Sequence, residues 1–216
     1  MHMSEPRAHA RQLVEVVAGL YRWHVRDDRL GDVESDAFAI VQEGHVTLID
    51  PLPIDEAKLQ ALGTVESIVL TAGNHQRSAW RFRKSLGAKV YAPEGAQGLE
   101  EKPDHSYSGG DLLPAGLMAF HAPGPTDAMY ALWLDRPISV VFLSDLLMHD
   151  GSGTPAFVPA EYQDEPARTR TSIQRIVNDL PAEALCFAHG PPIAKNATAV
   201  LRTVLANDHE KLPTVH

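Results

Sequence analysis

One stretch constrains this chain more than any other: Ile68 to Leu86, IVLTAGNHQRSAWRFRKSL. Ile68, Val69 and Leu70 form a short apolar run of the kind a strand buried on both faces requires. Thr71, Ala72, Gly73 and Asn74 break it with turn residues. From His75 onward, Ala79, Phe82 and Leu86 recur at helical spacing, and Gly87 follows as a stop signal. The pattern predicts strand, tight polar turn, helix. Such a turn lies at the carboxyl end of a strand, where α/β proteins often place their chemistry.

The elements around it alternate in a definite order. Residues 1–10 read as a loose terminus. LYRWHV, from Leu20 to Val25, alternates like an antiparallel strand with one wet face, and Arg26 to Ser35 reads as a loop. Ala37 to Val41 and His45 to Ile49 make a hairpin across Gln42-Glu43-Gly44. Asp55 opens a short helix, Ala88 to Ala92 is a strand, and residues 94–115 are loop with at most one short element. Three strands follow, Leu117 to Ala122, Ala128 to Leu134 and Ile138 to Leu143. A Gly- and Pro-bearing loop at 149–160 is a candidate rim or lid. Asp164 caps a helix with Pro166 in its first turn. Ala184 to Ala188 is a strand, and a last helix starts near Asn196. Strands, then α/β, more strands, then α/β again: two sheets covered by helices on their outer faces satisfy that order.

Composition narrows the function classes. The length of 216 residues suits one well-buried domain, with a core over about 15–205. A net charge of −9 argues against broad binding to nucleic acid or an anionic membrane. The single cysteine, Cys186, sits in apolar ALCFA, so no disulfide framework exists and a buried thiol is expected. No run approaches the roughly 20 apolar residues needed to span a bilayer. The first twenty residues lack a signal-type apolar core, so the expected location is cytoplasmic.

Five segments, taken together, resemble the metallo-β-lactamase superfamily. VTLIDP, with Asp50, resembles the early strand whose aspartate braces that family's metal loop. LTAGNHQRS stands where the family carries T-H-x-H-x-D-H. FHAPGPTDA resembles its T-P-G-H-T segment, with Pro125 at the histidine. VVFLSDLL resembles the strand that delivers a bridging aspartate, matched by Asp145. LCFAHGPP resembles the final G-H-G, matched by His189. The resemblance implies a four-layer αββα sandwich. A degenerate branch of the superfamily whose loop reads L-T-N-x-x-H-x-R-S is matched at His75, Arg77 and Ser78, while Ala72 departs from it.

The same resemblance implies a damaged metal site. The four usual ligand positions of the loop become Ala72, Asn74, Gln76 and Arg77, so a di-zinc hydrolase site is not expected. Two cleft readings remain open. In one, His75, Asp145 and His189 hold a single zinc or similar divalent ion, as a hydrolase of small esters, lactones or thioesters would need. In the other, no cofactor binds and His75 is a hydrogen-bonded turn histidine. Arg77 either pairs with Asp145 in place of a lost cation or joins Arg81 and Lys84 on a solvated helix face. His121, His105 and His149 are further candidates for the pocket and its mouth. No G-x-S-x-G elbow supports Ser78 or Ser144 as a nucleophile. The expectation is a hydrolase-like protein with a degenerate site and a small-molecule cleft, with a partner-binding module as the non-enzymatic alternative.

Overall fold

The computed structural model describes residues 4–31 and 33–208. In chain order the strands of the first half are β1 (Val14–Val17), β2 (Leu20–Asp27), β3 (Val33–Gln42) and β4 (His45–Ile49). Helix α1 (Glu56–Gln60), strand β5 (Thr64–Val69), helix α2 (Ala79–Leu86) and strands β6 (Lys89–Pro93) and β7 (His105–Tyr107) follow. The second half holds β8 (Met118–His121), β9 (Tyr130–Leu134), β10 (Val140–Phe142), β11 (Leu147–Met148) and β12 (Ala156–Phe157). It closes with α3 (Pro166–Asp179), β13 (Ala184–Cys186) and α4 (Ala197–Asn207).

Strands β1 to β7 form one sheet in sequence order, antiparallel up to β4 and parallel from β4 to β7. The second sheet runs β13-β10-β9-β8, with β13 parallel to β10 and the rest antiparallel. Side-chain alternation sorts the buried residues into three apolar clusters, which separate four layers of secondary structure, two sheets between two layers of helices. On β3, Ala37 and Ala39 face outward onto a cluster with Ile68, Leu70 and the α2 residues Trp80 and Phe82. Phe38 and Ile40 face the other way, against Leu132, Val140 and Phe142 of the second sheet. Val141 and Leu185 then point outward beneath Ile173 and Ile176 of α3 and Leu201 of α4. This is the αββα arrangement expected from the order of elements.

Differences from the sequence reading are local. Within the segment expected as a loop at 26–35, Arg26, Asp27 and Val33 to Ser35 are strand. β2 runs to Asp27, a single 3-10 turn covers Asp28–Leu30, and β3 restarts at Val33. Asp27 makes the tight return feasible, because its buried carboxylate accepts from the Arg29 amide at 3.0 Å. Strand β1 was not anticipated, its four residues being too short to register a period. The helix after the central turn starts at Ala79, since residues 73–75 form a separate 3-10 turn. Asp164 does not cap α3. Glu165 holds that position without a side-chain bond, and the Asp164 amide goes to the Pro125 carbonyl at 3.2 Å.

The amino-terminal segment is not loose where it is described. The Ala10 amide bonds the Pro53 carbonyl at 2.8 Å, and Glu5 accepts from Ser78 and Arg81, both at 2.8 Å. Residues 1–3 of the expected loose terminus lie outside the described residues. The 149–160 loop starts at the site, where the His149 amide bonds the His189 carbonyl at 2.9 Å, and then runs away from it. Residues 154–160, with Arg170 and Asp208, line a separate cleft of about 430 Å³ that includes none of His75, Asp145 or His189. No helix among the described residues is long and apolar enough to cross a membrane.

Candidate functional site

Four strand ends deliver the site. β4 ends into Asp50, β5 into Thr71, β10 into Ser144-Asp145 and β13 into His189. Asp50 organises the first pair. Its Oδ1 accepts from the Thr71 amide at 2.8 Å and its Oδ2 from the Thr71 hydroxyl at 2.6 Å. The same Oδ2 lies 2.9 Å from Nδ1 of His75. The 3-10 turn at Gly73–His75 swings that imidazole inward, and His75 is buried.

The other ring nitrogen of His75 meets Asp145, Nε2 to Oδ2 at 3.0 Å. Asn74 Nδ2 donates to the same oxygen at 3.1 Å. The second carboxylate oxygen, Oδ1, lies 3.3 Å from Nε2 of His189 but makes no hydrogen bond, although it is buried. His189 is oriented from behind by the Glu34 carbonyl, 2.9 Å from its Nδ1. One nitrogen from each histidine and one Asp145 oxygen therefore lie within 4.8 Å of one another. Asp145 and His189 keep 14% and 13% of their side chains open to solvent, so the cluster has an exposed side.

Charge in the cluster is set by these contacts. Burial, the largest effect on His75, disfavours its cation, but the carboxylates of Asp145 and Asp50 outweigh it and raise its pKa to about 9. Burial likewise works to raise Asp145, yet the charge of His75 and contact with both histidines hold it well below the usual carboxylate range. Both ring nitrogens of His75 thus face a carboxyl oxygen, at 2.9 and 3.0 Å, an arrangement that favours its protonated form.

Arg77 is placed as neither sequence reading expected. It is 2% exposed, so it is not part of a solvated face with Arg81 and Lys84. Nor does its guanidinium bond Asp145. Nη1 donates to two backbone carbonyls, Asp36 at 2.6 Å and Asp50 at 3.2 Å. Its backbone stands at φ 36, a left-handed conformation that turns the side chain inward instead of along the α2 surface. Burial depresses its pKa, and Asp50 and Asp145 partly restore it.

The remaining candidates fall elsewhere. Gln76 is a brace for α2, accepting from Trp80 Nε1 at 2.6 Å and the Glu100 amide at 2.7 Å. Ala72 carries no ligand atom, and the Pro125 carbonyl is used by Asp164. His121 bonds the Asp127 carbonyl at 2.8 Å, and His105 stacks on Tyr91 at 4.6 Å. His149 bonds the Pro191 carbonyl through Nδ1, while its amide holds the His189 carbonyl at 2.9 Å. Ser144 is buried, and its hydroxyl meets that of Thr71 at 2.7 Å and lies 3.3 Å from His75 Nδ1. Ser78 bonds Glu5.

Sequence reasoning missed the β3 contribution. Ser35 and Asp36 are buried polar residues, and Ser35 Oγ lies 3.5 Å from His189 Nδ1. Asp36 brackets His189: its amide bonds the Ala188 carbonyl at 2.8 Å and its Oδ2 accepts from the Gly190 amide at 2.6 Å. The adjacent Ser-Asp pair leading into AFAIV was the available signal, because two polar residues entering a buried strand need partners.

A profile described as the metallo-beta-lactamase superfamily matches residues 16–207. No curated protein matches the chain. Among solved structures it resembles the DIM-1 metallo-β-lactamase exposed to ceftazidime, at 15% identity over 92% of this chain and 97% of that one, with a TM-score of 0.73. It also resembles FIM-1 from Pseudomonas aeruginosa in its mono-zinc form, at 15% identity over 94% and 97% and a TM-score of 0.72. A metallo-β-lactamase from Erythrobacter litoralis gives 15% identity over 89% of each chain and a TM-score of 0.68. At such identities the likeness is one of fold.

Proposed function

The chain belongs to the metallo-β-lactamase superfamily, and we propose that it is a hydrolase-like member with a degenerate site holding one divalent metal ion on His75, Asp145 and His189. The observation that carries this reading is the convergence of two imidazoles on one carboxylate: His75 Nε2 lies 3.0 Å from Asp145 Oδ2, and His189 Nε2 lies 3.3 Å from Oδ1, which is buried and makes no hydrogen bond. A buried carboxylate oxygen without a hydrogen bond is costly, and a cation between it and the histidine nitrogens would satisfy it. Both histidines have oxygen at Nδ1, Asp50 for His75 and Glu34 for His189, which leaves each Nε2 as the ligand atom. Two histidines and one carboxylate make a donor set used by zinc, with one position left for water or substrate.

A second ion does not fit. Ala72 and Pro125 offer no side-chain donor, Gln76 is committed to α2, and Arg77 brings a positive charge into the same buried ground. A bound zinc would supply Lewis-acid activation of a carbonyl and of water near neutral pH. The residues of the chain would do the rest. Asp50 would hold the His75 ring, and Asn74, exposed and bonded to Asp145, would meet a ligand at the mouth. Small esters, lactones or thioesters are the substrates proposed for such a cleft.

A metal-free ligand-binding site is the second reading. Carboxylates at 2.9 and 3.0 Å on the two nitrogens of His75 already balance a proton where a metal would sit. Metal analysis of protein purified without chelator separates the two. One zinc per chain, lost in both His75→Ala and His189→Ala, supports the mononuclear site. No binding under zinc titration rejects it, and two tightly held ions reject the degenerate site.

A further inference from the structure

Both histidines are oriented from behind, one through β4 and one through β3, and a single buried nitrogen touches both arms. Nη1 of Arg77 donates to the Asp50 carbonyl at 3.2 Å, and Asp50 holds His75 through its side chain. The same Nη1 donates to the Asp36 carbonyl at 2.6 Å. Asp36 brackets His189 through Ala188 and Gly190, and the Glu34 carbonyl two residues away takes the His189 Nδ1. We infer that Arg77 is a positioning residue that sets the two imidazoles at the spacing a ligand ion requires.

The chemistry of the contact supports a specific need for arginine. Two carbonyls from different strands converge on one guanidinium nitrogen, whose planar head keeps its donors in fixed directions. A lysine keeps the charge, but its Nζ ends about one bond short and has no plane to hold both acceptors. The left-handed backbone at φ 36 is a strained conformation for a residue with a Cβ, and it is the turn that sends the side chain under the site. Strained backbone of this kind persists where surrounding contacts over-determine it. Here those contacts include the Ser78 amide on the Pro51 carbonyl at 2.9 Å and Ser4 Oγ on the Arg77 carbonyl at 3.3 Å.

The inference rests on the metal reading for its purpose, but its test does not need metal. Nitrogen-15 and proton spectra of the imidazoles in zinc-free protein report which ring nitrogen carries a proton and how it is bonded. Arg77→Lys is expected to shift the Nδ1 signals of both His75 and His189, and to weaken zinc binding about 10–100-fold where zinc binds. A folded Arg77→Lys with both imidazole signatures native, or with only one moved, overturns the inference. Absence of zinc binding in the wild type would reject the metal reading and leave the imidazole result standing by itself. Should Arg77→Lys not fold, the wild-type guanidinium gives the answer, since coupling is reciprocal. Its Nη1–H signal is expected to move in His75→Gln and in His189→Gln, and a signal unmoved by both overturns the proposal.

Discussion

Asp145 and His75 meet at 3.0 Å, Oδ2 to Nε2, and the far nitrogen of the same ring lies 2.9 Å from Asp50. One buried imidazole thus separates two carboxylates that would otherwise face each other. Removing the ring leaves two buried negative charges without their shared partner. His75→Gln is therefore expected to destabilise the metal-free protein by about 3–5 kcal/mol, the usual cost of breaking a buried ion pair from one side. Urea unfolding measures it. A loss under about 1 kcal/mol would mean that His75 carries no charge in the folded protein.

Gly190 allows His189 to reach the site. It stands at φ 105, and a Cβ there would lie 1.5 Å from the His149 carbonyl oxygen. Gly190→Ala combines strain of about 1–3 kcal/mol with a backbone clash, so a loss of at least about 3 kcal/mol is expected. Gly153 is the control, with φ 73 and nothing within 4 Å of an added Cβ. Gly153→Ala should show strain alone, about 1 kcal/mol. Equal thermal shifts for the two variants would contradict the clash.

Asp36 gives stability a pH dependence that runs opposite to ordinary acid denaturation. Burial, only partly offset by Arg22, raises its carboxyl from 3.8 to about 6. A raised folded pKa means the folded state holds the proton more tightly. This contribution is complete below about pH 4 and is lost as the pH rises through 6. Asp36→Asn, which cannot ionise, should gain about 3 kcal/mol relative to wild type between pH 4 and pH 7. A pH-independent difference between the two proteins would show that Asp36 titrates alike folded and unfolded.

Trp80 anchors α2 beneath the site turn. It is fully buried, and its indole nitrogen donates to Gln76 Oε1 at 2.6 Å. Trp80→Ala should cost about 3–5 kcal/mol as a core cavity. Trp80→Phe should cost far less, because Gln76 Oε1 keeps the Glu100 amide at 2.7 Å. Denaturant midpoints at constant slope test both, and equal losses would show that the indole bond, not the volume, holds the helix.

The layers and most of the residues that meet in the cleft follow from local patterns along the chain. Alternation along residues 37–40 and the unbroken apolar run at Ile68 to Leu70 depend only on which side chains avoid water, and that is a local property of strands. The ordered landmarks Asp50, Asp145 and His189 carried the family likeness for the same reason: each stands where an apolar strand ends in a polar residue. Tertiary structure decided the rest. Whether Arg77 faced Asp145, solvent or the strand carbonyls turned on one backbone angle in a three-dimensional turn, φ 36, which no spacing rule encodes. The bracketing of His189 by Asp36 joins residues more than 150 positions apart in the chain. Hydrogen bonds across such separations are set by how two sheets stack, and only the folded chain brings their donors and acceptors within reach.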